Sequence, residues 1–228
     1  MKTVIFNTPY HLSLLARLGE PNCQQPEVSR LIHALYESLF SHVSSATLET
    51  ETMQIPTRMH SKDDRGIYSG IVFKKEQKVV VADLIRAGIE PSTLFYHKLT
   101  EILDPKVVRQ DHIMAQRVEG EHGVTDTSLM ASKIGGSIEN ATVFLPDPMG
   151  ATGHSMQKVI EFYLENYGKP KQFVAVHLIV TPEYLERMSQ IEAPLSVYAA
   201  RQDDGLTDED YIYPGLGGVG EMISNTSQ

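Results

Sequence analysis

The run Val143-Phe144-Leu145-Pro146-Asp147 ends apolar residues on a carboxylate, and Pro148-Met149-Gly150-Ala151-Thr152-Gly153-His154-Ser155 follows as a loop of mostly small side chains. A helical pattern then runs from Met156 to Tyr167. Strand end, acidic residue, small-residue loop and helix start together suit a sugar phosphate. Loop amides and a helix N-terminus attract the phosphate. Small side chains let the backbone approach it, and Thr152 and Ser155 add hydroxyl donors. Asp147 can accept hydrogen bonds from ribose hydroxyls. The loop is not a Walker A, because it lacks Gly-Lys-Ser/Thr at the required spacing.

These residues need a frame to hold them. Val79–Ile85 reads as a buried strand, followed by the Arg86-Ala87-Gly88 turn, with Pro91 and Ser92 opening a helix to about Leu103. Strand signals recur near Val107–Ala115, Ala141–Leu145, Phe173–Val180 and Leu195–Ala199, and helices fill Ser155–Tyr167 and Pro182–Gln190. Strands alternating with helices imply an α/β fold, a parallel sheet flanked by helices. In such sheets ligands gather at the carboxyl ends of strands. The Arg86 turn and the Asp147 loop both follow strands, so both point to one rim.

Upstream, Val28, Leu31, Ile32, Leu35, Tyr36, Leu39, Phe40 and Val43 mark one helix face, for the core or for a subunit interface. Residues 44–75 suit short strands or an extended arm. The polar stretch from Glu119 to Asn140 carries Gly120, Gly123, Gly135 and Gly136 and little strand signal. It reads as a lid over a site or as a surface excursion.

Composition narrows the function. The 228 residues fit one domain, 1–228, with room for a small lobe. A net charge of −9 argues against nucleic acid and anionic membranes as partners. The single cysteine, Cys23, excludes an internal disulfide framework and fits a cytoplasmic setting. No signal-peptide pattern and no bilayer-spanning apolar run are seen.

The tail adds Asp203-Asp204-Gly205-Leu206-Thr207 and Tyr211-Ile212-Tyr213-Pro214-Gly215-Leu216-Gly217. With the Asp147 loop, the Arg86 turn and Leu48-Glu49-Thr50-Glu51, it resembles the uracil phosphoribosyltransferase family, in the same order from about Thr47 to Ile223. Pro148 is part of the likeness, because other phosphoribosyltransferases usually have a second acid there. The resemblance implies a type I phosphoribosyltransferase fold: a Rossmann-like parallel sheet with a small hood or arm and N-terminal helices. It implies that uracil N1 displaces pyrophosphate from phosphoribosyl pyrophosphate (PRPP), giving UMP. It places the PRPP ribose and 5-phosphate on Asp147, Pro148, Met149, Gly150, Ala151, Thr152, Gly153, His154 and Ser155. Pyrophosphate falls to Arg86 with Ala87 and Gly88, and to Arg117. Uracil falls to Ile212, Gly217, Gly218 and Val219, largely through backbone groups. The catalytic set is Arg86, Arg117 and Asp147. Magnesium is expected through the pyrophosphate rather than on protein ligands, and a dimer or larger assembly is expected.

The chain departs from the family in two places. The family loop Leu-Ala-Thr-Gly-Gly-Ser is here Gly150-Ala151-Thr152-Gly153-His154-Ser155. His154 brings strain if its position needs a positive φ, or a further cation for the phosphate. The family tail Gly-Leu-Gly-Asp-Ala-Gly-Asp-Arg is here Gly215-Leu216-Gly217-Gly218-Val219-Gly220-Glu221-Met222. Gly218 replaces an aspartate associated with PRPP and its metal, and Met222 replaces an arginine. These changes set a catalytically impaired nucleotide or PRPP sensor beside the enzyme, and leave open the same reaction with another pyrimidine-like base.

Other signals carry less. Gly215 to Gly220 matches G-x-G-x-x-G, but too little chain follows for a dinucleotide fold. Asp203, Asp204, Asp208, Glu209 and Asp210 lack EF-hand spacing and read as a solvated loop. The nine histidines show no zinc-ligand pattern. Arg86 has a plainer alternative, a buried arginine paired with a carboxylate.

Overall fold

A computed structural model describes residues 1–120 and 123–226, and for 115–120 and 123–130 the backbone alone. The chain opens with β1 (Lys2–Ile5), α1 (Pro9–Leu18), α2 (Glu27–Thr47) and the hairpin strands β2 (Thr50–Pro56) and β3 (Ile67–Phe73). It continues with β4 (Val79–Ile85), α3 (Ile89–Ile102), β5 (Val108–Gly120), β6 (Gly123–Lys133), β7 (Thr142–Pro146) and β8 (Met149–Gly150). Then come α4 (His154–Asn166), β9 (Gln172–Val180), α5 (Pro182–Ser189), β10 (Leu195–Gln202), β11 (Gly205–Leu206), β12 (Ile212–Tyr213) and α6 (Val219–Ser224).

The main sheet runs β1-β10-β9-β7-β4-β5-β6, with β8 added to β9. Every pair is parallel except β5–β6. Strands buried on both faces explain the continuous apolar runs read from the sequence. Side chains alternate along each strand. Val79, Val81, Phe144, Val174 and Val176 therefore join α2 and α3 in one core. Val80, Leu84, Val143, Leu145 and Phe173 join α4 and α5 in the other.

The α2 stripe is buried within the chain: Val28, Ile32, Leu35, Tyr36, Leu39, Phe40 and Val43 pack inward, and Phe95 of α3 meets Phe40, Tyr36 and Phe144 at ring distances of 5.1–6.2 Å. Residues 44–75 supply the β2–β3 hairpin, whose Ile67, Tyr68 and Ile71 are exposed.

The N-terminal helices expected from the resemblance are α1 and α2, and the short strand β1 precedes them. Two further stretches differ from expectation. Helix α3 begins at Ile89, ahead of Pro91, with Gly88 as its N-cap. The stretch from Glu119, read as poor in strand signal, supplies the end of β5 and the antiparallel β6. An edge strand is held by backbone pairing on one side, so it needs no long apolar run. The lid reading falls in part on residues outside the described ones.

The order of strands fixes where a ligand can sit. From β4 the chain moves to β5 on one side, and from β7 to β9 and β10 on the other. The adjacent strands β4 and β7 thus flank a topological switch point, and their following loops part to leave a crevice.

Candidate active site

A cleft of about 550 Å³ opens at this point. Its lining takes Arg86 and Ala87 from the turn after β4, and Asp147, Met149, Ala151 and Ser155 from the loop after β7. The third wall is the tail, with Asp210, Tyr211, Ile212, Gly217, Gly218, Val219 and Glu221. Residues 86, 147, 212 and 217–219, far apart in the chain, therefore meet in one place.

Gly88, Pro148, Gly150, Thr152, Gly153 and His154 form no part of the lining. Gly88 caps α3, its amide donating to the Leu84 carbonyl at 2.9 Å. A Cβ on Gly150 would come within 2.9 Å of Val180 Cγ1 and 3.1 Å of the Tyr184 ring. The leucine of the family pattern is thus sterically excluded here unless both Val180 and Tyr184 move. Gly153 takes φ +80° as the N-cap of α4, a conformation that suits glycine. His154 begins the helix and is not among the positive-φ residues. The strain considered for His154 is therefore absent, because the turn falls on Gly153. His154 Nδ1 lies 3.1 Å from Thr152 Oγ1. The backbone of Arg117 lies in β5 opposite Thr127, and its side chain lies outside the described residues.

Beneath the cleft, His177 is buried on β9. Its Nδ1 is 2.6 Å from the Asp147 carbonyl oxygen, and its Nε2 is 2.6 Å from the Tyr184 hydroxyl. Burial pushes its pKa down to about 4, opposed by the bond to Asp147. The ring is therefore neutral near pH 7. A carbonyl only accepts, so Nδ1 carries the proton, and Nε2 accepts from Tyr184 O–H.

The tail is folded back by Asp203. This residue was read as part of a solvated acidic loop, but it is buried, paired with Arg201, and accepts from the Gly215 amide at 2.9 Å. A carboxylate held by a guanidinium and an amide fixes the turn that carries Ile212 and Gly217 to the cleft. The short α6 then packs on the core through buried Val219, with Met222 and Ile223 partly buried against it. Gln25 Nε2 donates to the Ile223 carbonyl at 3.0 Å. Met222, in place of the family arginine, acts as an apolar anchor.

That anchoring places Glu221. Arg86 Nη2 lies 2.8 Å from Glu221 Oε1. The arginine thus both lines the cleft and pairs with a carboxylate, and with its side chain 52% exposed it is not the buried arginine of the plainer reading.

Sequence reasoning left Asp210 among the solvated acids and gave Tyr211 no role, yet both line the cleft. It also passed over His177, Tyr184 and Arg187. The available signal was polar residues at Thr181, Tyr184 and Arg187, spaced as one helix face just after an apolar strand.

Two adjacent parallel strands, β4 and β7, whose following loops meet the tail in one cleft, make this an α/β protein with a site at its switch point. Residues 5–226 match the family model described as uracil phosphoribosyltransferase, and the chain belongs to that family. The resemblance read from the sequence is borne out. The chain is 25% identical to the uracil phosphoribosyltransferase of Pyrococcus furiosus over 215 residues, 94% of this chain and 86% of the relative. It is 26% identical to that of Mycoplasmoides gallisepticum over 228 residues, covering 99% of this chain and all of the relative. Among solved structures, the AQ2163 protein from Aquifex aeolicus shares the fold at a TM-score of 0.79, with 20% identity and 99% of each chain covered.

Proposed function

We propose that this protein transfers the phosphoribosyl group of PRPP to uracil, giving UMP and pyrophosphate. The observation that carries the reading is the meeting of the Arg86 turn, the Asp147 loop and the tail in one cleft at the switch point. Uracil and PRPP are the small-molecule partners in this reading. The exposed apolar side chains of β2–β3 support an assembly of copies. Among the described residues, no helix is long and apolar enough to cross a membrane.

In this reading Asp147 accepts from the ribose hydroxyls. Amides of the loop and of the first turn of α4, with the Ser155 hydroxyl, receive the 5-phosphate. Ile212 and the Gly217–Val219 backbone receive the uracil edge, whose O2, N3–H and O4 present acceptor, donor and acceptor. The N1–C1′ bond forms as the C1′–O bond to pyrophosphate breaks, and the N1 proton is lost. Arg86, joined by Arg117, meets the negative charge that builds on the leaving group.

Asp147, Asp210 and Glu221 line the cleft, and among the described residues no group of three or more His, Cys, Asp or Glu could hold a metal ion. That donor set suits a hard cation carried in on substrate phosphates and touching one or two carboxylates. Magnesium bound in that way supplies charge neutralisation at the leaving group.

The test is formation of UMP from uracil and PRPP in the presence of magnesium. Turnover is the expected result. UMP binding without turnover on uracil or any related pyrimidine would support a sensor instead. The observations favouring that second reading are Gly218, which adds no carboxylate to Asp210 and Glu221 in the tail wall, and Glu221, which already occupies Arg86.

A further inference from the structure

In the loop from Asp147 to Gly153, the carbonyls of Asp147, Pro148, Gly150, Ala151, Thr152 and Gly153 each accept a hydrogen bond. Asp147 O accepts from His177 Nδ1 at 2.6 Å. Pro148 O accepts from the Leu178 and Ile179 amides at 3.0 and 3.2 Å. Gly150 O accepts from the Thr181 amide at 3.0 Å, and Ala151 O from Thr181 Oγ1 at 2.7 Å. Thr152 O accepts from Arg187 Nε at 2.6 Å, and Gly153 O from the Gln157 amide at 2.9 Å. Apart from the Gln157 amide, all these donors belong to the second half of β9, to Thr181 that caps α5, and to Arg187 in the last turn of α5.

A peptide unit turned so that its carbonyl faces one way directs the N–H of the following residue roughly the other way. Asp147 is the exception, because Pro148 follows with no N–H, and there the His177 bond only holds the carbonyl. A loop carbonyl aimed into the cleft would repel a phosphate. We infer that the β9–α5 corner, through His177, Thr181, Tyr184 and Arg187, is the positioning element that gives this loop its preference for a 5-phosphate. None of the four lines the cleft. Thr181, the N-cap of α5, and Tyr184 and Arg187 within it recur three residues apart, so they fall on one side of the helix. Tyr184 acts twice: its hydroxyl fixes the His177 tautomer, and its ring fills the space that a larger residue at Gly150 would need. Arg187 also reaches Gln157 Oε1 at 3.2 Å, which ties α5 to α4. Its guanidinium places a cation behind the loop as well as a donor beneath it.

The inference rests on assigning the loop to a 5-phosphate, so its test compares ligands with and without that group. UMP and uridine are titrated calorimetrically into the wild-type protein, Arg187→Met and Arg187→Lys. Arg187→Met is expected to weaken UMP roughly tenfold or more while uridine affinity stays within about twofold. Arg187→Lys keeps a donor and a charge and should recover most of the loss. Tyr184→Phe, which removes the donor to His177, should act in the same direction, and thermal melting reports whether each variant is folded. A folded Arg187→Met that loses UMP and uridine alike, or loses neither, overturns the inference. A wild-type protein that holds UMP no tighter than uridine would bring down the phosphate assignment itself, and the brace with it.

Discussion

The loop wall and the tail wall of the cleft are held by different kinds of interaction. On the loop side, buried His177 and Thr181 and half-buried Arg187 fix backbone carbonyls one by one. On the tail side, the contact to the opposite turn is the Arg86–Glu221 pair, whose side chains are 52% and 30% exposed. A buried donor whose partner is removed costs about 1–3 kcal/mol. A solvent-exposed ion pair is worth about 0–1 kcal/mol. The first arrangement keeps its shape whether or not ligand is bound. The second can exchange one anion for another at little cost. This division follows the proposed chemistry, in which the sugar phosphate is held throughout and the diphosphate leaves.

The largest effect should come from the loop wall. Asp147 is the carboxylate that receives the ribose, and Asp147→Ala is expected to lower UMP formation by about 10²–10³-fold, the scale for losing one preorganised polar group. Steady-state rates on the folded variant check this. Full activity in Asp147→Ala would falsify the ribose assignment and leave the loop wall a structural feature only.

A second effect separates the brace from the chemistry. His177 is held near pKa 4 by burial, below the ordinary value of 6.5. Between those values the unfolded chain takes up a proton that the folded chain refuses. Stability from this group is therefore complete above about pH 6.5 and falls as the pH drops towards 4, by about 3 kcal/mol in all. His177→Asn should flatten the dependence in that window, as measured by urea unfolding at a series of pH values. His11, also held low by burial and by His42, titrates in both proteins, so the difference between the curves reports His177. Identical curves would mean that the buried ring does not anchor the loop as described.

The front of the loop wall was legible in the sequence, while its support was not. Apolar runs gave the strands, and Asp147 marked the end of one, because strand burial and loop polarity are local properties of the chain. Alternating strands and helices then implied a common rim for Arg86 and Asp147. His177 could not be read the same way. A histidine inside an apolar run gives no hint of which carbonyl it meets, and its partner lies 30 residues earlier. Asp203 misled for a similar reason. Among four neighbouring acids it is the one that Arg201 and the Gly215 amide draw inward, and only the folded tail distinguishes it from the rest. Glu221 is one more acid in the tail string, and its contact with Arg86 depends on α6 packing through Met222 and Ile223.

The smallest effect tests the exchange on the tail wall. In the resting cleft Glu221 neutralises Arg86, so an arriving diphosphate must displace it. Glu221→Gln keeps the shape and a hydrogen-bonding oxygen but removes the competing charge. Since an exposed pair is worth at most about 1 kcal/mol, the apparent KM for PRPP should fall by up to about fivefold. The KM for uracil should not move, because uracil carries no charge for Arg86 to meet. Steady-state kinetics with each substrate varied in turn reads both. A KM for PRPP that rises instead would place Glu221 with the bound diphosphate and its metal, and the tail wall would then hold substrate rather than yield to it.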